Sequence, residues 1–186
     1  MPDKPRRRNN SRNAILDAAQ RVAVEKGANK VSLDSVAKEA GLTKGGVLYN
    51  FSGKDALISG LLERLLKNYT PMTDANREEL QGQENPTLRS IIRVIQQLQQ
   101  LDNNIPMAIL AAAAENLELL QPLREEMALR HQQIRDEATD PDHASLLWAA
   151  GEGMMLLDML NLLPFDKAKK SSLMDRLEKL AAELNS

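Results

Sequence analysis

The apolar residues of this chain recur at helical spacing from end to end, and nowhere do β-branched residues alternate with polar ones over a strand's length. That pattern selects an all-α protein. The length of 186 residues suits one large domain or two small ones, and 42% hydrophobic with 27% charged residues is the balance of an ordinary globular chain. There are no cysteines, which excludes a disulfide framework, thiolate zinc sites and a cysteine nucleophile. No apolar run approaches the roughly 18 residues that cross a bilayer, and the basic N-terminus lacks the apolar segment of a secretory signal. A cytoplasmic protein is expected.

Charge is unevenly placed. Residues 1–55 carry eleven Lys and Arg against six acids, a net of +5, which leaves −7 for the rest of a chain whose total is −2. A polyanion responds to local rather than total charge, so the N-terminal part is the candidate for meeting one.

Residues 1–10, with Arg6, Arg7 and Arg8, form a basic arm expected to be flexible. Ile15, Ala18, Ala19 and Val22 then mark a first helix that Gly27 ends as the C′ residue. Ser32 is placed as the N-cap of a short second helix with Leu33, Val36, Ala37 and Ala40 inward, Val31 and Val36 forming a hydrophobic staple, and Gly41 stopping it. Only Leu42 and Thr43 separate that glycine from the third helical stretch, Lys44–Asn50, for which Thr43 is a cap. Two short helices joined by a tight glycine-containing turn make a helix-turn-helix. Ser52-Gly53-Lys54-Asp55 then signals a long fourth helix, expected to stop at Thr70-Pro71, the hinge between two regions, with a polar linker ending at Pro86. Five more helices follow, opened by Asn85-Pro86, Asn104, Pro122, Asp140-Pro141 and Asp166, for about nine in all.

In a helix-turn-helix the second helix presents its first residues to base edges in the major groove, while the first crosses the backbone. Thr43, Lys44, Gly45 and Gly46 fall there. Glycine costs about 1 kcal/mol relative to alanine in a helix, and two in succession permit close approach to DNA. Lys44 is the choice for base contact, with Thr43, Tyr49, Asn50 and Lys54 suited to backbone oxygens and Ser32 included in the same DNA-facing set. The arginine arm suits the minor groove or neighbouring phosphates, its alternative being a solvated tail. Gly45-Gly46 as a loop between core helices and Tyr49 as a core aromatic are the competing structural roles.

The string Gly41-Leu-Thr-Lys-Gly-Gly-Val-Leu-Tyr-Asn-Phe51-Ser-Gly-Lys-Asp-Ala-Leu57, preceded by Ile15-Leu-Asp-Ala-Ala and Ser35-Val-Ala-Lys-Glu-Ala-Gly41, resembles the DNA-binding signature of the TetR family of bacterial transcriptional regulators, over roughly residues 11–62. The resemblance implies a two-domain, all-helical homodimer. An N-terminal three-helix DNA-binding domain, residues 11–55, would be joined by a long helix to a C-terminal ligand-binding and dimerisation region, residues 56–186. By position, Thr43, Lys44 and Gly45 fall where the family contacts DNA, Tyr49 and Asn50 where phosphates or bases are touched, and Lys54 where a phosphate is held. Leu48 stands where the family commonly has tyrosine, and Asn50 where histidine or tyrosine is common.

The segment from Pro141 to Leu163 carries two apolar stripes, more than one core easily buries. Leu146, Gly153, Leu156 and Leu160, with Leu173, Leu177, Leu180 and Leu184 of the last helix, are the candidate dimer interface, the alternative being a monomer with a fully internal helix. Met107, Met127, Met155, Met159 and Trp148 are candidates for an adaptable effector pocket, with Glu115, His131 and Glu152 as its polar members, the alternative being core and solvated face.

His131 and His143 are the only histidines and form no metal-ligand pair, and there is no phosphate-binding loop or nucleophile elbow. No metal, cofactor or catalytic role is expected. The expected function is a ligand-responsive transcriptional regulator, more a repressor than an activator, whose partners are a double-stranded pseudo-palindromic operator, a small-molecule effector and a second copy of the chain. The rivals are a helical adaptor with a basic N-terminus for an acidic protein, and a helical enzyme using Glu115, Glu152 or His131.

Overall fold

A computed structural model describes residues 4–98 and 104–184, with side chains for all of these except residues 4–9, 28 and 104. Among the described residues there are nine α-helices, two short 3-10 turns and no strand. The helices are α1 Lys4–Lys26, α2 Leu33–Ala40, α3 Lys44–Asn50, α4 Lys54–Glu79, α5 Pro86–Leu98, α6 Asn104–Ala113, α7 Gln121–Glu137, α8 Pro141–Met159 and α9 Lys167–Glu183, with the turns at Ala28–Lys30 and Leu117–Leu120. The chain divides into two compact units, Met1–Leu65 with Asp102–Leu123, and Leu66–Leu101 with Arg124–Ser186. The helices α4 and α7 each contribute residues to both.

In the first unit α1 packs against α2, α3 and α6. Its buried stripe is Ile15, Leu16, Ala18, Ala19, Val22 and Ala23, with Val36 and Ala37 of α2, Val47 of α3, and Leu57, Ile58, Leu61 and Leu62 of α4 also buried. The i, i+3, i+4 spacing within the α1 and α4 sets is what places each on one helix face. In the second unit α5 packs against α8 and α9, and those two against each other. Leu88, Ile91, Ile92 and Ile95 join Ile134, Ala144, Leu147, Met174, Leu177 and Ala181 in one core. A Cβ on Gly151 would meet Leu177 at 3.3 Å and Ile95 at 3.5 Å, so the close approach of α8 to its neighbours uses a residue without a side chain.

Three boundaries differ from those expected of the sequence. The backbone of α1 is helical from Lys4, so most of residues 1–10, expected as a separate arm, belongs to that helix. Pro71 does not end α4, which continues to Glu79. An interior proline removes one backbone donor and crowds the carbonyl four residues earlier, a cost of about 3 kcal/mol, and tertiary anchors offset it. Thr73 is fully buried, Asp74 pairs with Arg130 at 2.7 Å, and Arg77 donates to Glu137 and Thr87 at 2.8 and 2.7 Å. Finally, α8 stops at Met159 rather than Leu163. Asn161 takes a left-handed φ of 55°, and the Leu162 amide reaches back to the Leu157 carbonyl at 2.8 Å, a helix-ending 6→1 bond.

Candidate functional site

The α2–α3 pair is held by caps that the sequence announces. The Ser32 hydroxyl accepts from the Ser35 amide at 3.2 Å while the Ser35 hydroxyl accepts from the Ser32 amide at 3.0 Å, a reciprocal capping box with serine in the place more usual for Glu or Gln. Gly41 closes α2 at a φ of 67°, a left-handed turn that glycine adopts without strain. The Thr43 hydroxyl then accepts from the Gly46 amide at 3.1 Å and starts α3.

On α3 the inward residue is Val47, fully buried, and the exposed ones are Lys44, Gly45, Leu48 and Tyr49. With successive residues about 100° apart around the axis, Leu48 falls between Lys44 and Gly45 on that outer face, and Tyr49 borders Gly45. The Lys44 ammonium donates to Asp34 of α2 at 3.0 Å, both side chains being more than half exposed. Asn50 faces further inward. Its amide donates to the Gly46 carbonyl at 3.1 Å, and its Oδ1 is buried without a hydrogen-bond partner. Lys54, at the start of α4, lies 3.6 Å from Glu115 and remains exposed, and its neighbour Asp55 accepts from Asn116 at 3.0 Å. Ser32 is half-buried and spends its hydroxyl on the cap. The side chains of Arg6, Arg7 and Arg8 lie outside the described residues.

What fixes α3 is the support beneath it. Phe51 is almost fully buried and caps α3 through its amide, and the Arg12 guanidinium lies over its ring at 4.5 Å, within cation–π range. Arg64 of α4 donates to Gln20, Asp17 and Asn13 of α1. Glu39 of α2 accepts from Lys26 and Arg21, each at 3.0 Å, and these partners, Lys26 first, hold its carboxyl below the usual range. Three elements are thereby tied to one another around the helix that faces out.

Of the effector candidates, Met107 and Glu115 belong to the first unit, and Met127, His131, Trp148, Glu152, Met155 and Met159 to the second. These last six are all half-buried. The Trp148 and His131 rings lie 4.9 Å apart. Ser145 donates to the Pro141 carbonyl at 2.6 Å, so the 2.9 Å contact between its oxygen and Nε2 of His131 is made with the imidazole as donor. Burial pushes the Glu152 carboxyl up to about 7, against a hydrogen bond from Trp148 that lowers it. Tyr69 shares this environment: burial first, and then the charge of Glu152, hold its hydroxyl well above the ordinary phenol range. Beside it Arg130 is buried and paired with Asp74 and Glu126 at 2.7 and 2.9 Å. Sequence reasoning missed Tyr69 and Ser145. Tyr69 reads as one more apolar member of the α4 stripe, and nothing local reveals that it meets Glu152.

The dimer candidates divide. Leu146 is 69% exposed, Leu156 43% and Leu160 39%, and a Cβ on Gly153 would meet nothing within 4 Å. Leu173 is half-buried. Leu177 instead lies inside the core of the second unit, with Leu180 and Leu184 packed against it. Among the described residues no three metal-ligating side chains converge, and no helix is long and apolar enough to cross a membrane.

Comparison with known proteins matches residues 15–61 to "Bacterial regulatory proteins, tetR family" and residues 85–182 to "Tetracyclin repressor-like, C-terminal domain". The chain is 38% identical over 52 residues to the HTH-type transcriptional regulator SrpR of Pseudomonas putida, covering 28% of this chain and 24% of that one. It is 40% identical over 70 residues to the uncharacterized HTH-type transcriptional regulator YvdT of Bacillus subtilis (strain 168), covering 38% and 34%. The matched segment thus spans only about a quarter to a third of these curated relatives. Among solved structures, the multidrug binding protein EbrR complexed with imidazole is 27% identical, with a TM-score of 0.67 over 95% of this chain and 93% of that one. A transcriptional regulator from Rhodococcus sp. Rha1, 22% identical with a TM-score of 0.71 over 92% and 96%, shares the fold. With its capped α2–α3 pair inside one matched region and the α5–α8–α9 core inside the other, the chain belongs to the tetR family of bacterial transcriptional regulators, which are DNA-binding proteins rather than enzymes.

Proposed function

We propose that this regulator binds a pseudo-palindromic operator as a homodimer and represses, and that a small-molecule effector releases it. In this proposal residues 11–55 dock on the duplex, residues 56–186 carry effector and dimer contacts, and the protein works in the cytoplasm. The observation that carries it is the outer face of α3. Lys44 stands exposed at the first turn of a helix whose two glycines leave its backbone open, at the end of the chain where positive charge is concentrated. A second copy occupies the second half-site, and the exposed Leu146 and Leu156 of α8 with Leu160 just beyond its end are the apolar surface available for that pairing.

The effector site proposed lies around Glu152, Trp148, His131 and Tyr69. A carboxylate that burial makes hard to ionise gains most from a ligand bearing positive charge, and an indole beside it suits a flat ring. EbrR structures complexed with malachite green and ethidium, 26% identical to this chain, support a ligand of that kind, an organic cation with aromatic rings. The effector must bind the non-DNA-binding dimer more tightly, or no release follows. Tyr69 and Lys54 both belong to the one helix α4, the element through which the release is proposed to act.

The test is to recover fragments of source genomic DNA bound by the purified protein at near-physiological salt, in parallel with Lys44→Ala. Enrichment of a few sites sharing an inverted repeat, lost in the variant, is expected. No enrichment over the variant, with or without cell extract, would overturn the proposal.

A further inference from the structure

We infer that Leu48 reads thymine, by packing on the 5-methyl group of that base at the centre of each half-site. The inference rests on the proposed docking of α3 in the major groove. Leu48 is 41% exposed, which for an isolated surface leucine would mean little. Its neighbours give it meaning. On the outer face of α3 it stands one turn from Lys44 and three residues from Gly45, so the middle of the presented surface is an aliphatic side chain flanked by a cation and by bare backbone.

The two glycines are a second, independent observation. A Cβ on Gly45 would meet only the Thr43 hydroxyl at 3.9 Å, and one on Gly46 would meet that hydroxyl at 3.5 Å and Leu42 Cβ at 3.7 Å. These are ordinary contacts, and neither glycine has a left-handed backbone. Nothing in the protein's own packing therefore requires glycine, although each costs about 1 kcal/mol relative to alanine in a helix. What glycine supplies is proximity. A helix able to settle this deeply brings Leu48 to the groove floor.

A leucine there can form no hydrogen bond, so any base edge that offers only donors and acceptors beneath it loses water without replacement. The major-groove edge of thymine is the exception, because it presents the C5-methyl. The occupant is therefore an A·T pair with its thymine methyl under Leu48. Lys44, one turn away and paired with Asp34, is placed to read the adjoining pair through the guanine O6 and N7 acceptors.

The test starts from rounds of selection on a random duplex library with the full-length protein, followed by replacement of each selected thymine by deoxyuridine. That swap removes the methyl and leaves every hydrogen-bonding group. Wild-type protein is expected to lose about fourfold in affinity at one thymine per half-site, the scale of one methyl-sized group removed from contact. Leu48→Ala should bind thymine and uracil duplexes equally, and Leu48→Met, apolar and of similar volume, should keep the discrimination. Equal wild-type affinity for both duplexes overturns the inference while leaving DNA binding intact, and discrimination retained by Leu48→Ala does the same. Failure to select any motif overturns the proposed DNA-binding function and this inference with it.

Discussion

A Cβ built on Gly60 would lie 2.8 Å from Cε1 of the Phe51 ring. The glycine in the second turn of α4 is thus matched to the aromatic residue that ends α3. Leu16 and the Arg12 guanidinium, at 3.2 and 3.3 Å from the same point, close the remaining sides.

Gly60→Ala therefore cannot be absorbed by a flexible chain end. The ring is almost fully buried, and overpacking of this kind costs about 1–3 kcal/mol. We expect a lower urea midpoint with an unchanged slope. Phe51→Leu combined with Gly60→Ala should recover part of the loss, because the two sites share one contact. Additive losses in that cycle would show that Phe51 is not the obstacle.

The capping box makes a separate prediction for α2. Replacing Ser32 by alanine removes the acceptor for the Ser35 amide, and loss of an N-cap typically costs about 1 kcal/mol. Ser32→Asp, which restores an acceptor and adds a charge suited to a helix N-terminus, should recover it. Equal stability of Ser32→Ala and wild type in chemical denaturation would contradict the role given to the cap.

Local chemistry was legible wherever a single residue type carries the signal. Ser32, Thr43, Asp140 and Asp166 are all N-caps whose side chains accept from the first turn, and Gly41 has the left-handed backbone that its position between two helices demands. The outward Leu146, Leu156 and Leu160 follow from the double stripe on α8, since one core takes only one face. The sequence misled where distant partners decide the outcome. Pro71 is a strong stop signal in isolation, and it loses to the buried Thr73 and to Asp74 and Arg77, because Asp74 finds Arg130 of α7 and Arg77 finds Thr87 of α5 and Glu137 of α7. The environment of Glu152 was illegible for the same reason.

Glu137 is the residue on which that override most depends. Its carboxylate accepts from the Thr87 amide and hydroxyl, each at 2.8 Å, and from Arg77 at 2.8 Å, while Thr87 is fully buried. Glu137→Ala leaves the buried Thr87 amide unpaired, at about 1–3 kcal/mol for an unsatisfied group, and leaves the Thr87 hydroxyl only the bond that it accepts from Arg77. The expected result is a loss larger than that of Ser32→Ala, with hydrogen exchange accelerated in α4 beyond Pro71 and at the start of α5. Exchange unchanged in those segments would count against this anchoring.

Glu152 should make stability fall as the solution is made more alkaline. Its folded carboxyl is raised to about 7 from the ordinary value of 4.5. Between those values the folded state binds more protons than the unfolded one, so this contribution is fully present below the lower value and is lost as pH rises through the upper one. Glu152→Gln, neutral throughout, should flatten that slope and be the more stable protein at pH 8. A cationic ligand at this site would reverse the preference, binding wild type better above pH 7 than below and binding Glu152→Gln weakly at both. Identical pH dependence of melting in the two proteins would remove the basis for placing the carboxylate in a desolvated site.

Lys44→Ala distinguishes a DNA contact from a structural ion pair. Lys44 and Asp34 are 55% and 71% exposed at 3.0 Å, and pairs so accessible to solvent contribute about 0–1 kcal/mol. If the pair served only the fold, the variant would show a small loss of stability and no loss of operator affinity beyond it. A lysine bound to a base edge or phosphate predicts the opposite weighting: a melting temperature within a degree or two of wild type, and operator affinity lower by about tenfold or more. Asp34→Ala completes the comparison, because it breaks the same ion pair while removing a negative charge from the helix that crosses the backbone. That variant should bind duplex DNA more tightly and with less sequence preference, its lysine being released from the position in which Asp34 holds it. Equal losses of operator affinity in Lys44→Ala and Asp34→Ala would mean that the pair acts as a structural unit, and α3 would then need another base-reading cation.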